Sequence, residues 1–204
     1  YDFDAMPVVD SENRIVGIVT FDDAIDVMEE EATEDIEKMA AITPMDKPYL
    51  RTSIFELWKA RIPWLLLLMI SATFTGMIIT SFEDALASYV ALTAFIPMLM
   101  DTGGNSGSQA SVTVIRGISL QEIEFKDIFK VIWKELRVAL FCGITLAAVS
   151  FVKILLFDGM VLGNTGISPT LALTVCLTLV LTVVCAKVVV CIMPLLAEKL
   201  GFDP

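Results

Sequence analysis

The residues best able to do chemistry lie in one run, Phe95-Ile-Pro97-Met-Leu-Met-Asp101-Thr-Gly103-Gly104-Asn105-Ser-Gly107-Ser108-Gln109. Asp101 supplies a carboxylate, Asn105 and Gln109 supply amides, and Ser108 supplies a hydroxyl. These are oxygen donors without sulfur or imidazole, the set that suits a hard cation. On a helix, Pro97, Asp101, Gly104, Asn105 and Ser108 drift slowly around one face, so the polar groups can line a common surface. Gly103, Gly104 and Gly107 remove side chains, which lets a hydrated ion or another helix approach the backbone. The same residues also suit a packing seam, with Gly103-x3-Gly107 docking two helices and Asn105 and Gln109 bonding across them. Both readings stay open on these residues alone. Magnesium gives up its waters reluctantly, so a polar cavity for a hydrated ion fits better than a tight cage.

A second reactive-looking stretch is acidic. Residues 1–46 hold 14 of the 25 acids and only two bases, Arg14 and Lys38, whereas residues 47–204 are nearly neutral. Within a helix expected from about Phe21 to Ala40, Asp23/Asp26, Glu30/Glu34 and Glu31/Asp35 place like charges three or four residues apart. That spacing destabilises a helix unless cations neutralise it. A plain solvated face is the alternative. Upstream, Met6–Val9 and Ile15–Val19 flank the polar turn Asp10–Asn13 and read as two strands. The Thr20 hydroxyl can cap the following helix, with Asp23 completing a capping box.

The elements around these residues are membrane helices. The chain is 56% hydrophobic with a mean hydropathy of +0.75. Four stretches are long enough to cross about 30 Å of hydrocarbon: 62–81, 85–115, 138–157 and 170–196. The polar run falls halfway along the second, where a charge costs on the order of 3 kcal/mol and must face protein or water. Lys153 falls near the end of the third, and Lys187 inside the fourth is expected to snorkel to the interface or to add a positive charge near the pathway. Basic loops (Lys47 to Arg61, and Arg116 to Arg137) alternate with base-free ones, which orients the N-terminus to the cytoplasm. Phe125, Ile128, Phe129 and Ile132 suggest an amphipathic helix along the membrane surface.

Other classes fall away. Acidity without a basic face argues against nucleic acid, and the absence of histidine removes triads and His-ligated zinc. The cysteines Cys142, Cys176, Cys185 and Cys191 sit in apolar runs and read as packing residues. No nucleophile–base pair is visible, which argues against an enzyme.

The string PMLMDTGGNSGSQASVTVIRG, the basic linker after it and the ending MPLLAEKLGFDP resemble the MgtE family of magnesium channels. The opening MPVVDSENRIVGIVTFDDAIDV resembles the last third of a CBS domain, a regulatory module. The resemblance implies a mainly α, polytopic membrane protein working as a homodimer in the bacterial inner membrane. It implies five membrane helices per subunit, with the fifth expected after Pro204, and a pore lined by the second and fifth. By position Gly104, Asn105 and Gln109 correspond to the pore motif, with Asp101 just before it. Asp2, Asp23, Asp26, Glu31, Glu34 and Asp35 correspond to acids that hold regulatory magnesium, so that cytosolic magnesium gates the channel. Thr20 and Asp23 correspond to a nucleotide position of a complete CBS pair. The domain division expected is 1–27 (CBS end), 28–46 (acidic plug helix) and 47–204 (membrane domain). The rival functions are a non-conducting CBS-coupled sensor and a transporter preferring manganese, cobalt or zinc.

Overall fold

The computed structural model describes residues 3–45, 47–161 and 168–202. Among the described residues helices dominate, with one strand pair near the start, and the chain divides into two compact units, Tyr1–Ser81 and Phe82–Pro204.

In the first unit, β1 (Ala5–Val9) pairs antiparallel with β2 (Ile15–Thr20), Ala5 opposite Thr20, with a bulge between Val8 and Val9. Asp10 organises the turn: its carboxylate accepts from the backbone N–H groups of Glu12 and Arg14, both at 2.9 Å. Asn13 takes φ 60°, a left-handed conformation that asparagine tolerates. The backbone bond from Arg14, reinforced by its side chain, holds the Asp10 carboxyl below its ordinary range. Helix α1 (Phe21–Met39) starts on Thr20 with the expected capping box. Past α1, the backbone N–H of Met45 donates to the Glu37 carboxylate at 2.9 Å, and that of Thr43 donates to the Ala60 carbonyl at 3.0 Å. These bonds tie the end of the acidic helix to the start of the next.

That next helix, α2 (Ile54–Ser81), begins eight residues before the apolar run suggested. The cause is local. Ser53 accepts from the Glu56 N–H at 3.2 Å, and Glu56 accepts from the Ser53 N–H at 2.9 Å, a capping box that nucleates the helix ahead of the apolar stretch.

In the second unit the expected span 85–115 is not one helix. It divides into α3 (Glu83–Ser88), a 3-10 turn over Val90–Phe95 and α4 (Ile96–Ser119). Tyr89, at φ −140° and ψ 65°, leaves the helical region, and Pro97 lets a new helix begin where its missing N–H costs nothing. Helix α5 (Ile128–Lys153) continues into a π-helical turn, Ile154–Val161, and α6 is Pro169–Lys199. Among the described residues three helical stretches are long and apolar enough to cross a membrane: Ile54–Ser81, Phe125–Asp158 and Pro169–Lys199. Helix α4 falls short of that measure because glycines and polar residues fill its centre.

The surface-lying helix expected around Phe125 is corrected. Ile128 and Ile132 belong to the first turns of α5 itself and, with Phe125, pack against Val114, Cys191 and Leu195. Only Phe129 of that group faces outward, at 81% exposed. Burial of three of the four apolar residues within the bundle overrides the amphipathic pattern.

Helix α6 is the centre of the unit. Its neighbours approach closely through glycines. A Cβ on Gly103 would lie 2.8 Å from Thr182 Cγ2, one on Gly107 3.1 Å from Val190 Cγ2, and one on Gly143 3.2 Å from the Val180 Cα. Contacts with α4 climb together along both helices, so the two run parallel. Contacts with α5 run oppositely: the Cys176 thiol donates to the Ala147 carbonyl at 3.2 Å, and Lys187 pairs with Glu135 at 3.6 Å. The Lys199 ammonium sits 4.1 Å above the Phe125 ring, which brings the basic α4–α5 connection and the end of α6 to one end of the bundle. At the other end Phe95, Ile154, Leu171 and Val175 form a core, and Lys153 pairs with Asp158 at 2.9 Å.

Lys187 therefore does not snorkel. It is 5% exposed and faces Glu135 across the α5–α6 interface. The cysteines are free, but only Cys176 and Cys191 are buried. Cys142 is half-buried and Cys185 exposed.

Candidate cation site

Helix α4 sorts its residues onto two faces. Gly103, Ser106, Gly107, Ala110, Val114 and Gly117 are buried, at helical spacing against the rest of the bundle. Asp101, Gly104, Asn105, Ser108 and Gln109 are exposed. The packing seam and the polar surface weighed from the sequence thus occur together, on opposite sides of one helix. Gly103 belongs to the seam. Gly104 has nothing within 4 Å of where a Cβ would stand.

The polar face is organised by one pair. The Asn105 Nδ2 donates to the Asp101 Oδ1 at 2.9 Å and to the Asp101 backbone carbonyl at 2.9 Å. Those bonds use the amide's donors and leave acceptor oxygens on both residues, so the surface offered is one of oxygen lone pairs. A cleft of about 580 Å³ opens on this face, with Asp101, Thr102, Asn105, Ser106 and Gln109 as its polar α4 side and Phe141, Cys142, Thr145 and Leu146 as a largely apolar α5 side. Its volume exceeds the roughly 30 Å³ share of one water many times over, so a cation could enter with part of its hydration shell. Pro97 is exposed at the start of α4, one turn before Asp101, and Ser108 is exposed outside the cleft lining.

The α5 wall has little signature in the sequence. Cys142 and Thr145 are three apart in an apolar segment, a signal too weak to single out without knowing which helix faces α4. Glu135 is hidden for a different reason: it lies among bases between two apolar stretches, and nothing in the sequence pairs it with Lys187.

On α1, Asp26, Glu31 and Asp35 are exposed, while Glu34 is half-buried and pairs with Lys38 at 2.8 Å. The Thr20 hydroxyl donates to the Asp23 Oδ2 at 2.6 Å, and its backbone N–H donates to the same oxygen at 2.8 Å. The side-chain bond is the main reason the Asp23 carboxyl lies below its ordinary value. Thr20 and Asp23, the expected nucleotide position, are engaged with each other. Asp2 lies outside the described residues. Among the described residues no three His, Cys, Asp or Glu side chains converge as metal ligands. The α1 carboxylates have the oxygen chemistry a magnesium ion takes, but such an ion would keep several waters or draw donors from elsewhere.

Comparison with known proteins supplies the context. Residues 96–204 match the family described as MgtE, divalent cation transporter, and residues 1–30 match the CBS domain. The whole chain is similar to the magnesium transporter MgtE of Thermus thermophilus at 39% identity and to that of Bacillus subtilis at 38%. It is similar to the magnesium transporter MgtE of Enterococcus faecalis at 28%. The chain spans about 43% of the length of each of these relatives.

Proposed function

Because this chain belongs to the MgtE family of divalent cation transporters, we propose that it carries magnesium across a bacterial inner membrane along the polar face of α4. The observation that carries this reading is the cleft where the hydrogen-bonded Asp101–Asn105 pair presents oxygen acceptors beside Gln109. A cation entering the cleft exchanges part of its water shell for these oxygens. Gly104 leaves room for the waters that remain. The uncompensated Asp101 carboxylate favours cations over anions, and the weak, water-mediated coordination that magnesium accepts lets the ion leave again.

The protein acts as a homodimer, with its N-terminal segment and the basic α4–α5 connection in the cytoplasm. Arg116, Lys126, Lys130 and Lys199 at one end of the second unit support that orientation. Cytosolic magnesium regulates flux through the carboxylates of α1. When magnesium is plentiful it neutralises Asp23, Asp26, Glu31, Glu34 and Asp35, with Asp2 contributing, and the closed state is favoured. When magnesium is scarce their mutual repulsion returns and flux resumes. Exposure of Asp26, Glu31 and Asp35 supports this, since a sensor of free ions must be reachable.

One observation favours the softer ions cobalt and zinc over magnesium and manganese. Cys142 shares the cleft, and thiols select for such metals. The full-length protein in liposomes decides between the ions. Magnesium uptake that excess cobalt or zinc fails to outcompete supports magnesium as cargo. Uptake of cobalt or zinc in its place, diminished by Cys142→Ser, supports the softer preference. Magnesium binding without passage of any of these ions would leave a non-conducting sensor.

A further inference from the structure

Glu135 and Lys187 face each other between α5 and α6 with their side chains 13% and 6% exposed. At 3.6 Å they are held by charge rather than by a hydrogen bond, and Glu135 Oε2 has no hydrogen-bond partner among the described residues. A pair this loose is a poor way to gain stability, since burying two charges costs about as much as their attraction returns. Its location gives it a different use. Lys187 lies on the stretch of α6 that meets α4 at its glycines, between Thr182 opposite Gly103 and Val190 opposite Gly107. Glu135 lies seven residues before Cys142, which lines the cleft from the α5 side. Seven residues of helix are about 10 Å along the axis. The Lys187 ammonium lies 3.6 Å from Glu135, so if unpaired it would stand on the order of 10–15 Å from the cleft and, in a medium of intermediate dielectric, lower a divalent cation's occupancy there at least about tenfold.

We infer that Glu135 is a charge-masking residue for cation passage: it neutralises Lys187, so that α6 can seat its 182–190 stretch against α4 without presenting a positive charge to ions beside Asp101 and Asn105. The inference rests on the transport reading above. It assigns to Glu135 a role in conduction although the carboxylate lines no part of the cleft.

The test compares Glu135→Gln, Lys187→Gln and the double variant in the full-length protein, reading magnesium flux in liposomes and thermal unfolding in detergent. Glu135→Gln leaves the ammonium bare and is expected to lower flux at least about tenfold. Lys187→Gln is expected to lose comparable thermal stability yet keep flux within about threefold, because a bare carboxylate does not repel cations. The double variant is expected to return flux to within about threefold of the unaltered protein. A pair that merely pins helices would lower flux equally in both single variants, and that result overturns the inference, as does undiminished flux in a folded Glu135→Gln. Should Glu135→Gln fail to fold, Lys187→Gln and the double variant decide, and loss of flux from either of them in folded form overturns it. No flux from the unaltered protein would remove the transport reading itself. Flux from the unaltered protein, undiminished in Glu135→Gln, removes only this inference.

Discussion

Asp101 and Asn105 are one turn apart, and their hydrogen bond converts two separate polar side chains into a single acceptor surface. Replacing Asp101 by Asn removes the charge while keeping the shape, so magnesium flux should fall at least about tenfold with little change in thermal unfolding. Flux and melting measured on the same preparation check this. At the start of α1, Thr20 and Asp23 share a capping box, and Thr20→Ala should cost the helix about 1 kcal/mol. The Asp23 pKa is depressed in the folded chain, so its contribution is present above the unfolded value near 4 and is lost as pH falls through the lower folded value. The protection factors of the first-turn amides of α1, which already allow for the intrinsic pH dependence of exchange, should therefore fall in that acid range, and in Asp23→Ala the fall should be smaller.

At the scale of elements, α4 is read twice, once by its neighbours and once by the cleft. Gly103 and Gly107 seat it on α6, and Gly143 seats α5 there. Gly143→Val would press a branched side chain against the Val180 backbone and should destabilise the bundle by about 1–3 kcal/mol. Gly104→Ala, in open space inside the helix, should hold stability or raise it by up to about 1 kcal/mol. Denaturation of the two variants side by side separates the seam from the open face. Much of this was legible beforehand. Periodicity and caps predicted α1, its Thr20 cap and the hairpin before it, and apolar length placed α5 and α6 as membrane-crossing helices. The break at Tyr89 and the early start of α2 were not legible, because φ/ψ at one residue and a two-residue capping box carry no hydrophobic signal. Nor was the fate of Lys187, since snorkelling and pairing look alike until the partner helix is known.

For the whole molecule, the charge asymmetry is the feature with most consequence. The first 46 residues carry the acid excess, and the remainder is close to neutral. If the α1 carboxylates read cytosolic magnesium, then Glu31→Gln, Glu34→Gln and Asp35→Asn together should abolish the suppression of flux by magnesium on the cytoplasmic side. Flux at low magnesium should stay within about twofold, since these residues take no part in the cleft. Continued suppression in the triple variant would remove α1 from the regulatory account while leaving the route through α4 untouched.

The polar face of α4 is the proposed route for cations. The decisive measurement is magnesium flux through the full-length protein carrying Asn105→Leu, which puts an apolar side chain in the cleft and removes the amide bonded to Asp101. Met77→Leu, exposed on α2 and outside the cleft lining, serves as the control. Flux lowered at least about tenfold by Asn105→Leu and kept within about twofold by Met77→Leu is the predicted result. Undiminished flux through a folded Asn105→Leu protein would contradict it.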